Sequence, residues 1–324
     1  MLGGILSLIS AATFGLNNAA VRRGVLTGTV MQALIITVPI GIPLFFLGAA
    51  LFGEPTAVAG FALEPTLLLA AAGILHFVIG RYGNYRGIKA VGGNLAGTIQ
   101  QTSILYTLLF AVVFLGETFT PLRIFGIVLI FLGPLIMVRR SPKSAEQQRK
   151  TTFVPNYVEG WIFGILCALS YGMSPILIRA ALENHGLGES LAGGTISYAA
   201  ATVVIVLFLA IPAQRRHAFA TDKAAVKWFI FSGIFVCLSQ IFRYMALAVA
   251  PVTVVGPILQ LQTIFRSVFA WLLNREHEVF DAPAIVGIVV SLIGALAVSV
   301  STDFVLNLVP LPATLVDIAY WHWP

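Results

Sequence analysis

The chain has 324 residues, of which 58% are hydrophobic and only 10% are charged, with a mean hydropathy of +0.95. A soluble domain carries about 25% charged residues, so this composition excludes an ordinary soluble enzyme or binding module and indicates a polytopic membrane protein. The net charge of +6 is explained by the excess of Lys and Arg in cytoplasmic loops. It does not indicate a nucleic-acid partner.

Apolar runs bounded by charges, Pro or Gly follow one another along the chain, and each is long enough to cross a bilayer as a helix. The first run has no basic segment before it and no small-residue cleavage site after it, so we interpret it as a retained helix rather than a signal peptide. The runs cover residues 3–21, 28–52, 66–88, 93–115, 121–138, 159–180, 191–213, 226–249, 252–273 and 283–300. The sequence therefore predicts an all-α integral membrane protein with ten transmembrane helices.

The two halves of the chain repeat each other on either side of one long polar connection, 139–156, which follows the fifth run. Because each half has an odd number of crossings, the second half must enter the membrane from the opposite side. The pattern predicts two inverted five-helix repeats, which are typical of secondary transporters with a binding site at the midplane. The paired positions include Gly15 with Gly172, Asn17 with Ser174, Gly97 with Gly256, Gln101 with Gln260 and Glu117 with Glu276.

Three features resemble one known family. They are the F/Y-G pair in the first helix of each half, the block FLGETFTPLRIFGIVLIFLG and its degenerate partner NREHEVFDAPAIVGIVVSLIG. Together they resemble the EamA-type transporters of the drug/metabolite transporter superfamily, over nearly the whole chain to about residue 302. The resemblance implies a ten-helix carrier of small organic metabolites and does not specify the substrate. We expect no cofactor.

These features divide the chain into four parts. We expect a first five-helix repeat at 1–138, a polar basic linker at 139–157, a second repeat at 158–302 and an amphipathic, aromatic C-terminal tail at 303–324. Trp321 and Trp323 in the tail suit an anchor at the membrane interface.

The charged residues favour one class of substrate. All thirteen acidic residues fall at or beyond the predicted helix ends, whereas an exporter of lipophilic cations in exchange for protons usually needs a carboxylate at membrane depth. Arg81, Arg243 and Arg266 lie several residues inside apolar runs, where a charge costs at least about 2.5–3.5 kcal/mol unless it is solvated or paired. Such an arginine either extends its side chain to the headgroups or lines a wet cavity and binds an anion.

Arg243 is the first candidate for the anion site. Gln240, Arg243 and Tyr244 follow the i, i+3, i+4 spacing of one helical face, and we expect this face to point inward. Other candidates can equally be explained by hydrogen bonds between helices, and His76 could also transfer protons near neutral pH. The remaining substrate-binding candidates are Gln101, Gln260, Asn17, Ser174, His76 and, in reserve to Arg243, Arg266. We predict no catalytic residue and no metal ligand.

The function that these observations favour is a secondary transporter of a small anionic or zwitterionic metabolite, working by alternating access in the bacterial inner (plasma) membrane. No GxxxxGK[ST] motif is present, so the energy is expected from a gradient or from exchange. The partners expected are a small-molecule substrate and the lipid bilayer, while a coupling ion and the oligomeric state stay unspecified. The alternatives are a cation exporter or a lipid flippase of the same superfamily, or a membrane-embedded lipid-modifying enzyme, for which no HExxH or GxSxG motif is found.

Basic residues predict the orientation. One side of the predicted bundle collects Arg22, Arg23, Arg86, Lys89, the basic residues of the linker, Arg215, Arg216, Lys223, Lys227 and Arg275. The other side has only Arg123 and Arg179 at its helix ends. Positive loops stay in the cytoplasm, so we predict both termini outside, whereas the resemblance implies cytoplasmic termini.

Overall fold

A computed structural model describes residues 1–52, 56–138, 156–219, 223–273, 282–300 and 302–308, and in the tail residues 312, 317 and 319–323. Most of the predicted linker and Glu276 lie outside these residues. The described residues form helices and no β-sheet, and their one β contact is an isolated bridge between Phe119 and Trp323. The prediction of an all-α membrane protein is confirmed at this level.

The described residues of the first half form eight α-helices and one π-helical segment. They are α1 (Leu2–Thr27), α2 (Val30–Thr37), α3 (Gly41–Leu51), α4 (Ala57–Gly60), α5 (Leu63–Gly73), the π segment (Ile74–Gly80), α6 (Arg81–Gln101), α7 (Ser103–Leu115) and α8 (Pro121–Val138). In the second half the described helices are α9 (Tyr157–Leu182), α10 (Leu187–Phe208), α11 (Pro212–Phe219), α12 (Lys223–Val249), α13 (Val252–Leu259), α14 (Gln262–Leu273), α15 (Ala282–Ser299) and α16 (Thr302–Leu308).

Five stretches within the described residues are long and apolar enough to cross a membrane by length and composition. They are Val30–Leu51, Leu63–Val91, Tyr157–Leu182, Leu187–Phe208 and Ala225–Val249. Shorter apolar helices cover Ile99–Leu115, Pro121–Gly133 and Val286–Ser299. Large apolar side chains such as Leu109, Val206 and Leu296 are more than half exposed, as expected for a surface that faces hydrocarbon rather than water.

The second predicted helix, 28–52, is interrupted. The chain leaves α2 at Val38 and begins α3 at Gly41, with Pro39 between them. Proline has no N–H to continue the helical ladder, and the i→i+3 bond from Gly41 N to Val38 O closes a tight turn instead.

The third and fourth predicted helices are joined by a turn inside α6. A Cβ atom placed on Gly87 would lie 3.7 Å from the Cβ of Ala96, although residues nine apart in a straight helix are about 13 Å apart. The two limbs then pack along α9 in opposite directions, with Val91 against Gly160 and Ile99 against Gly164. The chain therefore reverses direction between Gly87 and Ala96.

The helices of the two halves interlock at the paired F/Y-G glycines. A Cβ atom on Gly15 of α1 would lie 2.7 Å from the Cβ of Phe265 in α14. A Cβ atom on Gly172 of α9 would likewise lie 2.7 Å from the Cβ of Tyr106 in α7. The alignment that pairs Gln101 with Gln260 also pairs Tyr106 with Phe265. Each glycine therefore allows the corresponding helix of the other half to approach closely.

Candidate functional site

Buried polar residues meet where α12 crosses the π segment and α9. Arg243 and Gln240 belong to α12, His76 to the π segment and Ser174 to α9. All four are buried, and Arg243 is only 5% exposed. Three separate elements of the fold therefore bring their polar side chains to one point.

The guanidinium of Arg243 is held by neutral acceptors. Its Nη1 donates to Oε1 of Gln240 at 3.0 Å and lies 3.1 Å from the ring nitrogens of His76. Its Nη2 makes a longer contact of 3.4 Å with the hydroxyl of Ser174, and its Nε has no hydrogen-bond partner among the described residues. The side chain is fixed in place, yet part of its hydrogen-bonding capacity is unused.

His76 is an acceptor in this network. Because the amide oxygen of Gln240 faces Arg243, its NH₂ group faces Nε2 of His76, at 3.3 Å. An imidazole accepts only through an unprotonated nitrogen, so the ring is neutral in this arrangement. Tyr171 stacks on it with a centroid distance of 4.3 Å and an interplanar angle of 20°, which fixes the plane of the ring.

The π segment brings His76 and Arg81 to the same cavity. Its i→i+5 hydrogen bonding stacks residues five apart in sequence, and such segments recur at functional sites. His76 and Arg81 are five apart, and both line a narrow cavity in the interior. The cavity has room for about one water molecule, and it is lined by Phe14, Asn17, His76, Arg81, Asn84, Tyr85, Tyr171 and Val236.

A second polar pocket lies where two paired helices are broken. The run of α6 and α7 is interrupted at Thr102, just after Gln101, and the run of α13 and α14 at Gln260 and Leu261. Breaks at corresponding positions of two repeats are the usual sign of a transporter's binding region. Gln101 donates from Nε2 to the hydroxyl of Thr263 at 2.7 Å across this pocket, whose lining is Asn18, Gln100, Gln101, Gln262, Thr263 and Arg266.

Glu117 joins the two halves at one end of the bundle. Its carboxylate accepts the backbone N–H groups of Val252 and Thr253, both at 2.7 Å. These are the first two residues of α13, where orphan N–H groups and the helix dipole favour an anion. Glu117 is thus a helix cap supplied from the other half of the chain.

Acidic side chains are absent from the described part of the interior. Among described residues the one ion pair joins Arg86 to Glu159, and both of its side chains reach solvent. No group of three potential metal ligands occurs among the described residues either. The buried guanidinium groups therefore face amides, hydroxyls, an imidazole and carbonyls, all of them uncharged.

Comparison with known proteins decides the family. The profile of the EamA-like transporter family matches residues 1–139 and again 158–300. The chain belongs to this family. EamA proteins are membrane transporters of the drug/metabolite transporter superfamily, and the twofold match agrees with two related halves.

The fold of this EamA transporter also resembles a solved structure. A crystal structure described only as that of a protein aligns over 91% of this chain and 94% of its own, with a TM-score of 0.66 and 14% sequence identity. At that identity the likeness concerns the fold alone. No curated protein matches the chain.

The structure divides the predicted site residues of this EamA transporter into groups. Arg243, Gln240, His76 and Ser174 form one network. Asn17 lines the cavity beside it and accepts a 2.6 Å hydrogen bond from Ser232. Gln101 and Arg266 line the second pocket, while Gln260 lies at the helix break with its buried Oε1 unpaired.

Tyr244 makes no hydrogen bond to Arg243, Gln240, His76 or Ser174 among the described contacts. Its ring is fully buried against Phe45, with a centroid distance of 5.4 Å. Tyr244 follows Arg243 directly, and successive residues of a helix point about 100° apart. A substrate-binding role of Tyr244 therefore stays a prediction.

Sequence reasoning did not select Arg81, Asn84, Tyr85 or Tyr171, which the structure places around the cavity. One signal could have identified the first three. Shifting the halves so that Gln101 meets Gln260 also pairs Arg81 with Gln240, Asn84 with Arg243 and Tyr85 with Tyr244.

Proposed function

We propose that this EamA protein is a secondary transporter that moves a small anionic or zwitterionic organic metabolite by alternating access, with Arg243 binding the anionic group. Gln240, His76 and Ser174 hold the guanidinium, and Asn17 contributes its amide. Gln101, Gln260 and Arg266 recognise another polar part of the substrate from the second pocket, and Tyr244 supports the site through packing.

One observation carries the proposal: Arg243 is buried against neutral groups and has no carboxylate partner among the described residues. Taking a charge out of water and leaving it unpaired costs several kcal/mol. Charged residues inside membrane segments persist where they serve substrates or ions. A substrate carboxylate or phosphate would offset this cost, and the planar guanidinium suits both.

Alternating access is supported by the relation between the halves. We propose ten transmembrane helices in two inverted five-helix repeats, at 1–138 and 158–302, joined by the linker 139–157 and followed by the tail 303–324. The matched breaks near Gln101 and Gln260 and the reciprocal contacts of Gly15 and Gly172 support this arrangement. The narrow cavity requires helices to separate before a metabolite can enter.

The alternatives fit the site less well. An exporter of lipophilic cations needs an anionic counter-group, whereas the described cluster offers guanidinium and amide donors. A lipid flippase would be expected to have an apolar cavity open toward the bilayer, whereas the cavity around His76 is narrow and has Asn17, Arg81 and Asn84 in its lining. We place the protein in the bacterial inner membrane with both termini outside, on the distribution of Lys and Arg.

A thermal-shift screen of the purified full chain tests this function. The probes are amino acids, organic acids, phosphorylated metabolites and quaternary amines, because a ligand that binds the folded state stabilises it by about 2.7 kcal/mol at 100 times its Kd. We expect an anionic or zwitterionic probe to stabilise the wild type and the control Arg215→Gln, whose side chain is exposed. Arg243→Gln should show no such shift. Stabilisation by quaternary amines, or an unchanged response of Arg243→Gln, would contradict the proposal.

A further inference from the structure

Each half has three polar residues at corresponding positions of one helix, and one of the three is an arginine. In α6 the residues Arg81, Asn84 and Tyr85 follow the spacing i, i+3, i+4, and in α12 the residues Gln240, Arg243 and Tyr244 do the same. The shift that pairs Gln101 with Gln260 superposes the two triads. All six side chains are buried, so each half contributes one guanidinium to the interior.

Arg81 is anchored on one side and unpaired on the other. Its Nη1 donates to both the backbone oxygen and the hydroxyl of Thr37, at 3.2 Å each. Its guanidinium also lies 5.2 Å from the ring centroid of Phe77. Among the described residues no acceptor lies within 3.5 Å of the Nη2 atom in hydrogen-bonding geometry, although the side chain is only 2% exposed. A buried donor without a hydrogen bond costs about 1–3 kcal/mol, and more when the group is charged. We therefore interpret this atom as lacking an acceptor that a ligand could supply.

His76 connects the cavity with both guanidinium groups. Arg81 and His76 both line it, and Arg243 contacts the ring of His76 at 3.1 Å. Tyr171 also lines the cavity and stacks on His76. Tyr85 lines the cavity as well, and none of the described lining residues carries a carboxylate.

The other polar groups of the cavity suit an anion as well. The Oδ1 atom of Asn17 accepts from Ser232 at 2.6 Å, which leaves its NH₂ group as the one available to the cavity. Asn84 adds a second amide. Arg81 and two amides thus line the cavity, and Arg243 lies one side chain away, behind His76. A ligand with one negative charge would leave one of the two guanidinium groups uncompensated.

We infer that the substrate is a small dianion, with two negative charges on oxygen, bound between Arg81 and Arg243. This inference rests on the proposed function and narrows it from anions or zwitterions in general to divalent anions. The two charges are carried either by two carboxylates or by one phosphate monoester, since both present acceptor oxygens to guanidinium groups. Arg81 is then a second substrate-binding residue, contributed by the first half as Arg243 is by the second.

Calorimetric titration of the purified full chain at pH 8 tests this inference. The probes are succinate, methyl phosphate and butyrate, which has the chain length of succinate but a single charge. We expect the wild type and Arg215→Gln to bind succinate or methyl phosphate at least about thirtyfold more tightly than butyrate, the loss expected when one buried charge partner is removed. Tighter binding of succinate would indicate a substrate with two carboxylates, and tighter binding of methyl phosphate would indicate a phosphate monoester.

Two variants isolate Arg81. Arg81→Gln should lose the preference for succinate or methyl phosphate over butyrate. Asn84→Asp is nearly isosteric and places a carboxylate beside Arg81, so it should reduce the same preference without depending on how well Arg81→Gln folds. A dianion preference that survives in Asn84→Asp and in folded Arg81→Gln would overturn the inference.

The outcomes also separate this inference from the proposed function. If the wild type binds butyrate and succinate equally, and Arg243→Gln binds neither, the dianion inference fails and the anion transporter remains. If the wild type binds none of the three probes, and no anion or zwitterion stabilises it in the thermal screen, both proposals fail.

Discussion

Nη1 of Arg243 lies 3.1 Å from Nε2 of His76, so a neutral imidazole can accept a hydrogen bond from the guanidinium through this one nitrogen. The ring itself is fixed by its stacking on Tyr171. In our account His76 therefore positions Arg243 for the substrate. A proton-transfer role is not needed for this contact.

Replacing His76 should weaken transport through the orientation of Arg243. We expect His76→Leu to reduce uptake about tenfold or more, because a buried charged donor loses an acceptor worth about 1.5–3 kcal/mol. His76→Asn keeps an acceptor oxygen and should retain more activity. Uptake assays in proteoliposomes measure both variants, with folding checked by gel filtration. Equal activity of His76→Leu and the wild type would show that the contact does not position Arg243.

Glu117 should matter for stability more than for substrate affinity. Its two 2.7 Å hydrogen bonds cap α13 from the other half of the chain, and losing such a cap costs about 0.5–2 kcal/mol. We expect Glu117→Ala to lower the free energy of unfolding by that amount, measured by denaturant titration in detergent. Glu64→Gln is the matched control, since Glu64 is exposed and should change stability by no more than about 0.5 kcal/mol. Equal stabilities of the two variants would contradict the capping role.

The paired glycines should tolerate no side chain. In Gly15→Ala the new Cβ would meet the Cβ of Phe265 at 2.7 Å and the backbone nitrogen of Arg266 at 2.8 Å, and overpacking of this kind costs about 1–3 kcal/mol. Gly60→Ala is the control, because nothing lies within 4 Å of its added Cβ. We expect a lower melting temperature for Gly15→Ala only. A melting temperature of Gly15→Ala equal to that of the wild type would refute this close approach of α1 and α14.

The orientation of the protein in the membrane is predicted from the distribution of Lys and Arg alone. Lys and Arg concentrate on the side that holds the linker and the residues Arg215 and Arg216, so that side should be cytoplasmic. A C-terminal phosphatase fusion should be active, and a fluorescent reporter that matures only in the cytoplasm should stay dark. The reverse pattern would place the termini inside, as the family resemblance implies.

Hydrophobic patterning was sufficient to predict the helical membrane fold. Long apolar runs have few alternatives in a bilayer, because only helices satisfy every backbone group within a single segment. The break at Pro39 could have been anticipated from its missing N–H. The reversal of the chain within α6 and the π segment could not have been anticipated. The spacing of apolar residues does not show which backbone groups are hydrogen-bonded to each other.

The candidate site could be predicted only in part. Arg243 was recognisable because a charge inside an apolar run is costly, and Gln240 because it lies one turn away. The contact with His76 depends on the π segment and on the packing of α12 against it, which no local pattern encodes. Arg81 was visible as a buried charge, but its location beside the same cavity became evident only from the fold.

Uptake of a radiolabelled anion by proteoliposomes tests the central claim most directly. The anion is the one that most stabilises the wild type, and Arg243→Gln, Arg243→Lys and Arg215→Gln are compared at equal amounts of folded protein. We predict wild-type uptake for Arg215→Gln, partial uptake for Arg243→Lys, which keeps the charge but not the planar fork, and at least about a tenfold loss for Arg243→Gln. Uptake by Arg243→Gln at the wild-type rate would contradict the claim that the buried arginine binds the substrate.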